Sequence, residues 1–206
     1  MTTQTARRSA PQRKSEDRAM ADAVAKAKVL APGLAARIGS TPRTQFRGNP
    51  DLFGRLVEDH DRHRALLAMI EESDGRSDER AMLFEELVLE LRAHAAAEEQ
   101  ALWSTVLRDP QTTDDARHAI AEHKEIDDRL ADLAARDMAT EAWNKRFAKL
   151  KDCYLHHIQE EEQEQFVAAE EHLGEADLKH MFSVFERRKK DEKASIEIKE
   201  KISLKD

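Results

Sequence analysis

The chain has 206 residues, and its 34 basic against 42 acidic side chains leave a net charge of −8. That balance argues against sequence-independent binding to nucleic acid, which demands a basic surface. Charged residues make up 37% and aromatics 5% of the chain, with few Gly and Pro. This is the composition of helices with solvated outer faces, in one domain with tails.

Residues 1–14 are basic and polar, without an apolar period, and read as a solvated tail. Their Arg-rich, acid-free composition also resembles an organelle transit peptide, but there is no apolar core of a secretory signal. Ser15 to Ala31 suits a helix capped by Ser15. Pro32-Gly33 and Pro42 break the pattern, and residues 32–49 read as an extended arm with helical fragments. The whole of 1–49 is taken as an N-terminal arm, partly disordered or helical.

The first bundle helix is expected from Asn49-Pro50-Asp51, with Asn49 as cap and Pro50 in the first turn. Phe53, Leu56, His60, His63, Leu67 and Ile70 recur at steps of three and four and form its inward seam. Ser73-Asp74-Gly75 ends it. Ser77 caps a second helix, although Arg80 stands where a capping box would have Glu. Its seam is Phe84, Leu87, Leu91, His94, Glu98, Leu102 and Thr105, and Asp109-Pro110 stops it. Thr112 or Thr113 caps a third helix with Ala116, Ile120, His123, Ile126, Leu130 and Leu133 on its seam. After a turn at 137–140, a fourth carries Phe147, Leu150, Tyr154, His157, Glu161, Gln165 and Ala168, and Gly174 ends it. Glu175 to about Lys190 reads as a fifth, shorter helix with Leu178, Met181, Phe182 and Phe185 on its apolar face. The charged tail 191–206 is compatible with either a continued helix or a frayed end.

These elements repeat. Adding 63 to a position takes His60 to His123, His94 to His157, Glu98 to Glu161, Phe84 to Phe147 and Leu87 to Leu150. The lone and the paired His are 34 residues apart in both halves. That spacing suits a helical hairpin written twice, an up-down-up-down all-α four-helix bundle spanning 50–190.

The seam is where the chemistry sits. His94 and Glu98, and likewise His157 and Glu161, are four apart, one turn above each other on one helix face. Counted outward from the turns, His60, His94, Glu98, His123, His157 and Glu161 fall within about one helical turn of a common level. Two buried carboxylates without partners cost several kcal/mol each, so a compensating charge is expected. Four imidazoles and two carboxylates in a dry layer suit a dinuclear transition-metal site, best iron, with manganese or zinc compatible. Each Glu bridges two ions and positions remain open for a small ligand. His63 lies on the seam, but its repeat partner is Ile126, so it reads as a supporting or core residue. His118 and His156 read as surface or peripheral, and Glu160-Glu161-Glu162 as a solvated face with only Glu161 inward. Tyr154, one turn before His157, either reaches the site or simply packs. Cys153, the only cysteine, packs between helices, and its solitude suits a reducing, cytoplasmic setting. No run of 18 apolar residues exists, so no membrane span is expected.

The stretches EDHDRHRALL at 58–67, LRAHAAAEEQALW at 91–103, AEHKEIDDRL at 121–130 and LHHIQEEEQEQF at 155–166 resemble the hemerythrin family, in its bacterial HHE cation-binding branch. The resemblance covers about residues 50–190. It implies a four-helix bundle with a non-haem, carboxylate-bridged di-iron centre whose ligands are His60, His94, Glu98, His123, His157 and Glu161. Oxygen-carrying members have two histidines four apart on the third helix, whereas here Ala119 precedes His123 by four. That departure opens one iron and puts a simple reversible oxygen carrier in doubt. The functional expectation is a di-iron protein that binds dioxygen, nitric oxide or iron for sensing, storage or stress protection. Two alternatives stand beside it: an oxidoreductase acting on peroxide, catalase-like, and a structural bundle with incidental metal. The partner is a small gaseous or peroxide ligand, with neither nucleic acid nor membrane expected.

Overall fold

The computed structural model describes residues 52–203, with side chains described as far as Ile196. The expected N-terminal arm, the helix at 15–31, the Asn49-Pro50-Asp51 cap and residues 204–206 lie outside the described residues. Five helices follow in order: α1 (Leu52–Glu72), α2 (Asp78–Glu98), α3 (Thr113–Ala134), α4 (Glu141–Glu160) and α5 (Glu175–Ser203). No strand occurs among the described residues. α2 runs on through a π-helical turn, Glu99–Trp103, into Ser104–Val106. α4 does the same through Glu161–Gln165 into Phe166–Glu170. Neighbouring pairs α1–α2, α2–α3, α3–α4 and α4–α1 close the expected four-helix bundle, and α5 lies along α2 and α1.

The caps follow local chemistry. Ser77 precedes α2 in an extended conformation, and its hydroxyl accepts from the Arg80 amide at 3.1 Å. Thr140 does the same for Trp143 at 3.2 Å. Each satisfies one of the orphan amides of a first helical turn. Thr112 stands at the N-cap of α3 without a side-chain cap bond; its hydroxyl instead donates to the Val106 carbonyl at 2.6 Å. Arg80, the residue that spoils the capping box, has a different task. Its guanidinium donates to Ser73 Oγ, Met138 O and Asn144 Oδ1 at 3.0, 3.2 and 2.9 Å. It thereby ties the α1–α2 turn to the α3–α4 turn. Gly75 belongs to the same contact, since a Cβ there would stand 2.8 Å from the Met138 carbonyl oxygen.

Two apolar clusters fill the bundle. One, toward these turns, contains Leu67, Ile70, Phe84, Leu130, Trp143 and Leu150. The other, at the far end, contains Phe53, Leu56, Trp103, Ala119, Phe166 and Phe185. Burial of each large side chain contributes about 1.5–3 kcal/mol. The polar seam residues occupy the level between the two clusters.

Three expectations need correction. After the π-helical turns the buried stripe moves by one residue: Val106 is buried and Thr105 exposed, and Phe166 and Ala169 are buried where Ala168 was expected. A π turn inserts one residue and rotates everything beyond it. On α3, Ala119 is fully buried while Ile120 is half-buried. The fifth helix is not short: it is continuous through Lys190 to Ser203, so the charged stretch after 190 joins it. Met181 and Phe185 bury its apolar face as expected, with Phe182 half-buried.

Candidate metal centre

The structure brings all six predicted seam residues together. His60, Glu98 and Glu161 are 0% exposed, His157 1%, His94 2% and His123 6%. His60 comes from α1, His94 and Glu98 from the end of α2, His123 from α3, and His157 and Glu161 from the end of α4. Their Nε2 atoms point at one another and at the carboxylates. His60 Nε2 is 3.2 Å from His94 Nε2 and 3.4 Å from Glu161 Oε2. His94 Nε2 and His123 Nε2 each stand 3.5 Å from Glu98 Oε2. His157 Nε2 is 3.4 Å from Glu161 Oε1, with His123 Nε2 at 3.9 Å from the same oxygen.

Those separations are long for charge-assisted hydrogen bonds. Among the described residues, no oxygen of Glu98 or Glu161 has a hydrogen-bond partner, and neither does His123 Nε2. Buried carboxylates in this state are costly. Burial pushes both carboxyls up. His123 and His94 nonetheless hold Glu98 below the ordinary range, while repulsion from Glu98 drives Glu161 well above it. Their mutual repulsion opposes ionisation of both at once. His123 shows the same tension: burial lowers its pKa, but Glu98 and Glu99 raise it to about 9, whereas burial holds His157 at about 4. The donor set, the orphaned oxygens and the spacing all fit a bound cation.

The opposite ring nitrogens make the stronger case. His60 Nδ1 meets Glu162 Oε1 at 3.0 Å, His94 Nδ1 meets Asp59 Oδ2 at 3.2 Å, His123 Nδ1 meets Glu99 Oε1 at 3.0 Å and His157 Nδ1 meets Glu122 Oε2 at 2.9 Å. A carboxylate on Nδ1 holds the proton there and turns the Nε2 lone pair inward, the arrangement found behind metal-bound histidines. This set was missed in the sequence, yet the 63-residue offset contains it: Asp59 maps to Glu122, and Glu99 to Glu162. The residue before each lone His holds the paired His of its own hairpin. The residue after each paired Glu holds the lone His of the other hairpin.

Glu162 corrects the expectation that only Glu161 of its run turns inward. It is 2% exposed, and Arg64 donates to both of its oxygens at 2.9 and 3.0 Å. The π-helical turn beginning at Glu161 widens the helix, so two consecutive carboxylates face the interior. π turns of this kind occur often at functional sites.

His63 is fully buried, with Tyr154 Oη 2.5 Å from its Nδ1 and, among the described residues, no partner on Nε2. Its ring centroid lies 5.2 Å from that of His94 and 6.5 Å from that of His60. Burial drives the His63 pKa well down and the Tyr154 pKa well up, so the pair is neutral. His118 and His156 are exposed, as expected, and Cys153 packs half-buried against the core. A cleft of about 570 Å³ between α2, α3 and α5 reaches His94, His123, His157 and Tyr154, with Lys124 and Glu192 also lining it. On the α1 side, Lys189 of α5 reaches Asp59 at 2.5 Å and Glu90 at 2.9 Å. Asp59 is held well below the usual range despite its burial, by Lys189 above all.

Fold and site together define a helical-bundle, cation-binding protein whose histidine–carboxylate layer is contributed by four helices. The family model described as the hemerythrin HHE cation binding domain matches residues 51–169, and the chain belongs to that family. A crystal structure of a hemerythrin HHE cation binding domain-containing protein, the Rv2633c homolog from Mycobacterium kansasii, shares the fold. It is 24% identical with a TM-score of 0.63, over 70% of this chain and 88% of that one. Comparison with curated proteins finds no match. Among the described residues no helix is long and apolar enough to cross a membrane.

Proposed function

We propose that the chain is a non-haem di-iron protein, with His60, His94, Glu98, His123, His157 and Glu161 as ligands, that binds dioxygen, nitric oxide or iron for sensing, storage or stress protection. The observation that carries this reading is the pair of buried carboxylates, Glu98 and Glu161, unpartnered among the described residues and facing four Nε2 atoms. Mixed nitrogen and oxygen donors suit iron, with manganese and zinc as competitors. Iron bound there would supply a redox-active Lewis acid. The chain's own residues do the rest. Asp59, Glu99, Glu122 and Glu162 fix the tautomers and ring directions. The two apolar clusters keep bulk water from the layer, and the cleft admits a small ligand on the side of His94, His123 and His157. The solitary Cys153 supports a reducing, cytoplasmic setting.

Metal analysis after careful iron loading tests the assignment. Two iron ions per chain are expected; one ion or none refutes the dinuclear reading.

A second reading, a peroxide oxidoreductase, is favoured by one observation. The cleft reaches Tyr154, whose neutral hydroxyl is hydrogen-bonded to the buried His63 beside the His94 ring. Hydrogen peroxide consumption by the iron-loaded protein, reduced in Tyr154→Phe at unchanged iron content, would select it over simple ligand binding.

A further inference from the structure

Outside the buried layer, on the α3–α4 surface, a second group of donors converges. His118 Nε2 lies 3.5 Å from Glu122 Oε1 and 3.3 Å from Glu160 Oε2. One donor atom from each of His118, Glu122 and Glu160 fits within 4.8 Å of the others. A tetrahedral ion with bonds of about 2.0–2.1 Å sets neighbouring donors ~3.3–3.4 Å apart, close to the two separations measured from His118 Nε2. These contacts are long for a charge-assisted hydrogen bond, which draws N and O to about 2.7–2.9 Å.

Helical spacing builds the group. His118 and Glu122 are four apart on α3, His156 and Glu160 four apart on α4, and α3 packs against α4. His156 Nε2 stands 3.4 Å from Glu160 Oε1, the oxygen that His118 does not use. Glu122 divides its oxygens in the same way: Oε1 faces His118 and Oε2 accepts from His157 Nδ1 at 2.9 Å. Imidazole and carboxylate thus alternate from His156 through Glu160, His118 and Glu122 to His157. An ordinary surface ion pair contributes about 0–1 kcal/mol and requires none of this order.

We propose that His118, Glu122 and Glu160 form an outer, exchangeable divalent-metal site, with His156 orienting Glu160, and that this site shares Glu122 with the buried centre. Three protein ligands leave one position to water, as in open zinc sites. Partial exposure, 56% for His118 and 31% for Glu160, makes the ion exchangeable with solvent. The outer ligands stand on their own geometry; only the sharing of Glu122 rests on the buried ligand set proposed above.

The test is equilibrium dialysis of the full chain against zinc, with metal content read per chain and the fold checked by circular dichroism. His118→Ala/Glu160→Gln changes only half-exposed or exposed side chains and is expected to bind one equivalent fewer than the unaltered protein. Glu98→Gln/Glu161→Gln is expected to lose the buried ions and keep the outer one. Equal zinc content in the unaltered protein and in His118→Ala/Glu160→Gln would overturn the outer site. Unchanged content in Glu98→Gln/Glu161→Gln would instead overturn the buried assignment and leave the outer site standing. Cobalt in place of zinc gives a second readout, since its visible absorption at the outer site disappears with His118→Ala alone.

Discussion

Replacing Lys189 by methionine should destabilise the protein far more than its position near the charged C-terminal stretch suggests. The Lys189 side chain is 7% exposed and lies between two carboxylates that are 4% and 0% exposed, Asp59 at 2.5 Å and Glu90 at 2.9 Å. Removing one partner of a buried ion pair costs about 3–5 kcal/mol, because the other charge stays buried and uncompensated. Both carboxylates keep some support: Arg55 is 2.6 Å from Asp59, and Arg62 and Lys193 are 2.7 and 2.5 Å from Glu90. The expected loss is therefore at the lower end, ~3 kcal/mol. For a domain of this size that corresponds to a fall in Tm of about 6–12 °C. Methionine fills the volume of the lysine stem, so the loss reports charge rather than a cavity. The assay is thermal unfolding by circular dichroism at equal metal content. Lys179→Met is the control, since Lys179 pairs with Glu175 on the same helix while 75% exposed, and its Tm should not move. Equal shifts for the two variants would refute the idea that α5 is clamped to the bundle through buried charge.

Acid should attack the same clamp. Burial raises the Glu90 pKa, but Lys189, Arg62 and Lys193 outweigh it and bring it down to about 2 from an ordinary 4.5. A depressed carboxyl contributes stability that is complete above its unfolded pKa and is lost as pH falls through the folded one. Unfolding free energy of the unaltered protein should thus fall more steeply between about pH 4.5 and 2 than that of Glu90→Gln, as urea titrations at each pH will show. Stripping the metal with a chelator should lower Tm, because it returns Glu98 and Glu161 to an unpartnered, mutually repelling state; an unchanged transition would mean they find other partners. Glu162→Gln leaves every proposed ligand in place but weakens the anchor of His60 Nδ1, and should cost about 10–100-fold in metal affinity by competition titration.

The bundle and the meeting of its six central His and Glu side chains are determined by the sequence alone because both signals are periodic. Helical spacing puts His94 over Glu98 and His157 over Glu161, and a repeat of 63 residues places the second hairpin's donors opposite the first. Burial of polar groups on an apolar seam then demands a cation, an argument that needs no coordinates. What tertiary structure alone decided are contacts between residues that no local period connects. The partners of the four Nδ1 atoms lie 24 to 102 residues away. The repeat pairs them only once the register of the two hairpins is known. The π-helical turns at 99–103 and 161–165 leave no periodic trace, because one inserted residue is the departure from periodicity itself. They turn Glu162 inward and shift the buried stripe to Val106 and Phe166. Lys189 is the plainest case. Its place in a run of charges carries no periodic sign of burial, and only the packing of α5 on α1 and α2 sets it against Asp59 and Glu90, where burial makes its charge necessary.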